Sequence, residues 1–559
     1  MKSIKMRGIC AAVTGALLFG FGANAMADST TDIVNALVAK GVLTEEEGSL
    51  LTKGHDGEIA GAAKKPKVSE KDGAFSLSSG NGKNSIQLTG RLHMDAKYNT
   101  TAKQDLLSDS YGPWAADGDS KSMGSHFNMR RARLGVKGRL GGVADYEIVG
   151  NFAGTPGVDV AFFDINKYEP LGLVFGKFKV APNLEIKTSS NNIDFIERSY
   201  ISQNVPEKKF GAALHGEVKG ITYFGSAFQN NDSALSQKDH NVSTAGRATI
   251  NFAEFMDNKD VILHAGLNAY NSNYQVQPTT TNNVSDDKDP LYPRATVFSF
   301  SSGGQGVANA YRAQIADTYR TLGTSATGLG NATYGMNSNT TASVHADNVG
   351  LEGIAAYKNF KLQGEYSSAY YNAGSTGGDK ISADVDTWYA EALWILTGEN
   401  YADAYKKGAM GALKPKSEFD LDAGTGYGLW ELGFRVDAFD VSNTSATNVV
   451  GVGSSPAVMG TRFQGATNNP DSKNTTCLGT TASGTGSSQN GSRCGGGAQS
   501  YTASIKWVWN PNLLWKLNWT HTVFDNAFAP IDIATSRSAA NTKAIDSEDL
   551  IMLRGQFMF

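Results

Sequence analysis

The chain has 559 residues, a formal net charge of −4 and a sequence pI of about 6.1, so it lacks the bulk positive charge that would suit it to nucleic acid. Beyond residue 27 no apolar run approaches the roughly 18 residues that a membrane-crossing helix needs, which excludes a bundle of transmembrane helices.

The chain opens MKSIKMRGICAAVTGALLFGFGANAMA, with Lys2, Lys5 and Arg7 ahead of a short apolar run and then Ala23, Ala25 and Ala27. This is predicted to be a secretory signal peptide over residues 1–27, too short and wrongly flanked to be a span. Cys10 is removed with it, and losing Lys2, Lys5 and Arg7 takes the formal charge from −4 to −7.

Residues 28–73 are predicted as a helical periplasmic segment and linker. Ile33, Leu37 and Val38 fall at helical spacing, Gly41 breaks the pattern, and Thr44 with Glu47 three residues on starts a second short helix. A polar linker with Lys64, Lys65, Lys67 and Lys71 follows, and both a self-associating segment and a solvated tether fit this composition.

From residue 74 to residue 559 the periodicity is that of strands. Sixteen alternating segments are predicted near 84–98, 127–140, 143–153, 158–168, 172–180, 208–217, 219–229, 243–252, 260–271, 345–357, 360–371, 384–396, 427–440, 499–509, 513–524 and 547–559. The second holds RRARLGVKGRL, residues 130–140, where Arg131, Arg133, Lys137 and Arg139 alternate with Ala132, Leu134, Val136 and Leu140. A strand with one cationic and one apolar face explains the pattern. A helix does not, because at 100° per residue Arg131 and Arg139 leave the stripe shared by Arg130, Arg133 and Lys137.

Hairpin turns are predicted at Lys219-Gly220, Lys358-Asn359 and Asn510-Pro511-Asn512. The connecting stretches 99–126, 272–344, 397–426 and 441–498 are rich in Gly, Ser, Thr and Asn and read as surface loops, with part of 272–344 long enough to fold inward and narrow a pore. Lys406, Lys407, Lys414 and Lys416 fit either a basic entry funnel or a solvated loop. Cys477 and Cys494, the only cysteines left after the signal peptide, are expected to pair as a disulfide in an oxidising compartment, and with no neighbouring His they make a poor zinc site.

The C-terminal LIMLRGQFMF puts Ile551, Leu553, Gly555, Phe557 and Phe559 on one face, and Met552, Arg554, Gln556 and Met558 on the other. A strand that carries its apolar face to a terminal aromatic residue suits the closing strand of a membrane barrel, as do the tryptophans near the ends of 499–509 and 513–524. The fold class expected is all-β: a sixteen-stranded antiparallel transmembrane β-barrel with a short N-terminal helical periplasmic segment. Such a barrel is too wide for its own side chains to fill and encloses a water channel.

Several segments then carry a family resemblance. SIQLTGRLHMD, FNMRRARLGVKGRL, DYEIVGNFAG, LVFGKF, KTSSNNIDFIERS, LTGEN, WELGFRVD and LIMLRGQFMF stand in the order seen in the phosphate-selective porin O and P family, which this chain resembles over most of the barrel. The resemblance implies a homotrimer in the outer membrane of a Gram-negative bacterium, in contact with its lipid, each barrel passing small anions such as phosphate. It places Arg91, Arg130 and Arg131 at an anion-binding constriction, with Arg133, Lys137 and Arg139 as a secondary basic lining further along the strand towards the wide periplasmic mouth. Where the family carries lysine, this chain has Gln87, Asp145 and Asn191.

No cofactor, metal or catalytic set is expected: the eight His are dispersed, no G-x-S-x-G occurs, and GDS at 118–120 is a three-letter match. The serious rival is a general or cation-preferring diffusion porin, which the acidic charge and Asp145, Glu147, Asp159 and Asp164 near the basic strand would suit.

Overall fold

The computed structural model describes residues 65–71, 73–100, 126–154, 156–180, 182–230, 241–276, 294–306, 311–316, 320–321, 335–336, 342–375, 380–447, 462–464, 476–478, 495–528 and 545–559, with a few positions between 38 and 50. The predicted signal peptide and Cys494 lie outside the described residues, and of Cys477 only the backbone is described, in a short strand opposite Phe463.

The chain divides into two units, Met1–Val68 with Leu77–Gly82, and Ser69–Ser76 with Lys83–Phe559. In the first, Thr44 and Glu47 form the reciprocal cap: Thr44 N donates to Glu47 Oε2 at 2.9 Å and Glu47 N donates to Thr44 Oγ1 at 3.2 Å. Lys67–Lys71, expected within a linker, is a strand.

In the second unit, alternating sequence becomes an antiparallel sheet. Its strands are β1 (Ser85–Asn99), β2 (His126–Leu140), β3 (Ala144–Asn151), β4 (Gly157–Tyr168), β5 (Leu171–Lys179), β6 (Lys208–Val218), β7 (Ile221–Gln229) and β8 (Ser243–Asn251). They continue as β9 (Val261–Val276), β10 (Ala342–Tyr357), β11 (Phe360–Ser375), β12 (Lys380–Ile395), β13 (Leu429–Thr447), β14 (Gly496–Asn510), β15 (Leu513–Phe528) and β16 (Ile545–Met558). Each strand pairs with the next, and β16 pairs back onto β1 with Leu550 opposite Asn99 and Met558 opposite Arg91, so the sheet closes. Phe559 extends the pairing, exchanging backbone hydrogen bonds of 3.0 and 3.1 Å with Gly90, where any Cβ would strike the Phe559 ring.

Closure inverts the usual burial rule. Leu267, Leu351, Phe434, Trp519 and Leu553 face outward and are exposed, whereas Asn268, Glu352, Lys361, Arg435, Lys516 and Arg554 face inward and are buried. Lipid is the apolar phase here, so the period-two pattern places hydrocarbon outside and hydrogen-bonding groups inside.

Every predicted strand is present, and the predicted turns at Lys219-Gly220 and Lys358-Asn359 adopt the left-handed backbone that tight hairpins need, at φ 36° and 76° for the first pair and 51° at Lys358. The strand predicted from 219 begins at Ile221 for that reason. Residues 396–428 join β12 to β13 at the end of the barrel that carries the short turns, which faces the periplasm in such barrels, and so do not form an outer loop. The main inward fold is 180–207, between β5 and β6, with helix α1 (Leu184–Lys187) and a 3-10 turn at Tyr200–Ser202.

The 272–344 stretch also folds inward in part, as Arg294–Phe300 and Tyr311–Ala316 pair antiparallel and pack apolar rings inside the barrel. Phe300 stacks on Phe439 at 4.3 Å between centroids, Tyr200 meets the same ring edge-on at 4.9 Å, and Phe298 lies 4.7 Å from Tyr371. This apolar cluster packs against β11 and β13 and continues through Tyr270 and Phe228 to Phe178 of β5.

Candidate functional site

One irregularity in β2 brings two of the predicted arginines, Arg130 and Arg131, to the same face. Strict alternation would send Arg130 and Arg131 to opposite faces. The pairing of β1 with β2 instead shifts register between His93 and Met94: His93 lies opposite Arg131, but Met94 lies opposite Met129. Arg130 is therefore the extra residue of a β-bulge, and both guanidiniums turn inward while Met94 and Met129 stay exposed outside.

Arg130 grips Glu197 of the inward segment with two parallel bonds, Nε to Oε1 at 2.8 Å and Nη2 to Oε2 at 3.1 Å. Arg91 donates Nη1 to Ser190 Oγ at 3.0 Å. Arg131 is 8% exposed, and its Nη1 has no hydrogen-bond partner among the described residues. Asn191, standing where the family has lysine, offers Oδ1 to His93 Nε2 at 3.1 Å.

The secondary basic residues divide. Arg133 is the cross-strand partner of Arg91 and so lies level with it, not further towards the short-turn mouth as expected; it pairs with Asp159 at 2.9 Å. Lys137 stands in register between Gln87 and Glu147. Arg139 lies at the short-turn end, on Asp145 at 2.7 Å, Asn166 Oδ1 at 3.1 Å and Gly142 O at 3.1 Å. The lysines of 406–416 belong to this same end, where Arg247 Nη2 donates to Gly408 O at 2.6 Å and His264 Nδ1 meets the Tyr405 hydroxyl at 2.8 Å, anchoring the segment.

Sequence reasoning missed what holds the inward segment. Asp194 sits between Lys361 at 2.6 Å and Lys506 at 3.0 Å, and Lys506 also reaches Glu431 at 2.6 Å. Lys516 Nζ donates to the carbonyls of Ile193 and Phe195, and Arg435 Nη1 donates to Glu197 O at 3.0 Å. Arg554 binds Asp95 through Nε and Nη2, both at 2.7 Å, and reaches Glu197 Oε1 at 2.6 Å. Lys506, Lys516 and Arg554 stand at inward positions of the alternation, the one signal in the sequence; their partners on the inward segment lie more than 300 residues away in the chain.

The inward segment does not itself span the membrane. Within it, burial pushes the Asp194 carboxyl up, but the Lys361 and Lys506 ammoniums outweigh burial and hold it well below the usual carboxylate range. Glu197 is held down in the same way, against burial, by Arg130, Arg554 and Arg131. Asp194→Ala removes the shared counter-charge of two buried lysines and should cost about 3–5 kcal/mol. The expected result is a lower melting temperature and noisier, larger single-channel currents; unchanged currents and melting would mean that Asp194 does not restrain the segment.

Among the described residues, no group of three or more His, Cys, Asp or Glu is placed to hold a metal.

The profile of the family described as phosphate-selective porin O and P matches residues 109–297 and 303–559. Curated proteins give no match. Similar solved structures include the trimer form of OmpT, an outer membrane protein of Vibrio cholerae, at 8% identity, covering 85% of this chain and 99% of that one with a TM-score of 0.40. An anion-selective porin from Comamonas acidovorans is 9% identical, with 85% and 100% covered and a TM-score of 0.40. The outer membrane channel DcaP of Acinetobacter baumannii is 10% identical, with 85% and 97% covered and a TM-score of 0.38.

Proposed function

The chain belongs to the phosphate-selective porin O and P family and is an outer-membrane channel of a Gram-negative bacterium, and on that premise we propose that it admits small anions, phosphate or similar oxyanions, passively through a constriction lined by Arg91, Arg130 and Arg131. The observation that carries this reading is Arg131. Its guanidinium is nine-tenths buried, beside two other arginines, with Nη1 unpartnered among the described residues. An unsatisfied buried donor costs about 1–3 kcal/mol, more when charged, and a passing oxyanion is the group that would satisfy it.

Guanidinium is permanently charged and weakly hydrated, so it can replace part of an oxyanion's water shell. Arg91 and Arg133, facing one another across β1 and β2, offer neighbouring donors, and sharing the ion among sites lets it leave again. The carboxylates that favoured a cation-preferring pore carry less weight once their partners are counted. Asp145 lies on Arg139, and Asp159 on Arg133 and Lys208. The assembled form proposed is a homotrimer, as the family resemblance implies, working as a channel and not as an enzyme.

The test is the reversal potential of the purified protein in a planar bilayer under a KCl gradient. A potential on the anion side, with chloride current reduced by added phosphate, is expected. A potential on the cation side would instead favour a general diffusion pore.

A further inference from the structure

We propose that Gln305, on the inward part of the 272–344 stretch, is a positioning residue that sets the anion preference of the arginine constriction by holding two carboxylates beside it, Asp95 and Glu197, away from passing ions; the proposal rests on the anion-channel reading above and names a residue that tunes that site. Gln305 Nε2 carries two hydrogens, and both are used: one bond runs to Asp95 Oδ2 at 2.6 Å and the other to Glu197 Oε1 at 2.8 Å. Its Oε1 accepts from Asn128 Nδ2 at 3.2 Å, and its backbone carbonyl accepts from Lys97 Nζ at 2.8 Å. The amide stands only one way round, because a flip would set Oε1 against both carboxylates.

These contacts lie beside the arginines. Asp95 and Asn128 are register partners on β1 and β2, and Asn128 stands two residues before the bulged Arg130. Besides Gln305, Glu197 Oε1 takes Arg130 Nε at 2.8 Å and Arg554 Nη2 at 2.6 Å, and Asp95 Oδ2 takes Arg554 Nη2 at 2.7 Å. A carboxylate whose lone pairs are filled by fixed donors repels an approaching anion less than one left open. Arg130 and Arg554 fill them with positive charge. Gln305 fills them with a neutral group, so it screens both carboxylates without adding a charge that would hold the ion back.

Other groups seat the stretch that carries Gln305. Gln203 and Asn204, at the end of the inward segment, each exchange two hydrogen bonds with its backbone, Gln203 with Ser301 at 2.7 and 2.8 Å and Asn204 with Ser299 at 2.9 and 3.0 Å. Phe298 and Phe300 pack into the apolar cluster. The chain then turns through Ser302–Gly304, with φ 51° at Gly303 and 74° at Gly304, where a Cβ would come within 2.6 Å of Glu197 Cβ. The turn is therefore held against Glu197 by groups other than the Gln305 side chain, and a substitution there acts on Asp95 and Glu197 without freeing the stretch.

The experiment reads the reversal potential of the full-length protein in a planar bilayer under a KCl gradient, with the melting temperature as a control for folding. Gln305→Met keeps the length of the side chain and loses the amide; it should lower anion-over-cation permeability about threefold while the melting temperature holds. Gln305→Glu sets a third carboxyl against the other two and should lower the ratio about tenfold at about pH 8. Like charges raise the pH at which the introduced carboxyl takes up a proton, and once protonated it donates where the amide did, so the ratio should recover towards about pH 5. Asp95, Glu197, Lys97, Arg130 and Arg554 face this position in the unaltered protein as well, so the difference between the two proteins at each pH belongs to the introduced carboxyl. An unchanged ratio in Gln305→Met, or a loss in Gln305→Glu that acid does not reverse, overturns the proposal. Should Gln305→Glu not assemble, Gln305→Met decides alone by the same ratio. Failure of the anion-channel reading is separate and visible first, as a cation-side reversal potential of the unaltered protein.

Discussion

Replacing Arg91, Arg130 and Arg131 together by alanine should lower anion-over-cation permeability at least tenfold and abolish phosphate block of the chloride current. Tenfold corresponds to about 1.4 kcal/mol, well within the ~4 kcal/mol that one unit charge exerts on another at 4 Å with an effective dielectric constant near 20. The loss is larger than three removed charges suggest, because Arg130 also holds Glu197 with two bonds. Without it Glu197 keeps Arg554 but turns part of its charge towards the passage, so selectivity should move towards cations and can invert.

The comparison is with Lys137→Ala and Arg139→Ala together. Arg139 lies on Asp145 at the short-turn end, and Lys137 faces Glu147, so their removal should change permeability less than threefold. Arg133 is left out of the comparison because it lies level with Arg91. Equal effects from the two variants would mean that the cations act as a diffuse funnel. No effect from the triple variant would show that these arginines do not line the passage.

Deleting residues 550–559 should prevent assembly altogether, leaving no heat-modifiable protein in the outer membrane. These residues pair on one side with β15, Thr520 opposite Leu550 through Leu513 opposite Phe557, and on the other with β1, Asn99 opposite Leu550 through Arg91 opposite Met558. Without them both neighbours present unpaired N–H and C=O groups to lipid, at several kcal/mol for each group. The deletion also removes Arg554, leaving Asp95 buried without its bidentate partner. Arg554→Met separates the two contributions: it keeps both ladders and should assemble, with a lower melting temperature and a looser inward segment. A truncated protein found folded and heat-modifiable in outer membranes would contradict the closure argument.

The alternation alone determined the sixteen strands, their inward and outward faces and the predicted hairpin turns, because side-chain period and tight-turn backbone are local properties. RRARLGVKGRL was legible as a cationic strand face for the same reason, and Lys506, Lys516 and Arg554 could be placed inside the barrel from their position in the pattern. The sequence did not determine what those cations do. Arg130 and Arg131 share a face only through a bulge, and a bulge depends on how β2 registers against β1. Residues 180–207 carry no periodicity that announces an inward fold, and they fold inward because Lys361, Lys506, Lys516, Arg435 and Arg554 converge from distant strands on Asp194, Glu197 and the carbonyls between. Residues 397–426 read as a surface loop from composition, and only strand count parity assigns the connection 396–428 to the short-turn end. Periodicity specifies which face a residue occupies, while the pairing of charges hundreds of residues apart is set only when the sheet closes and brings opposite walls within a few ångströms.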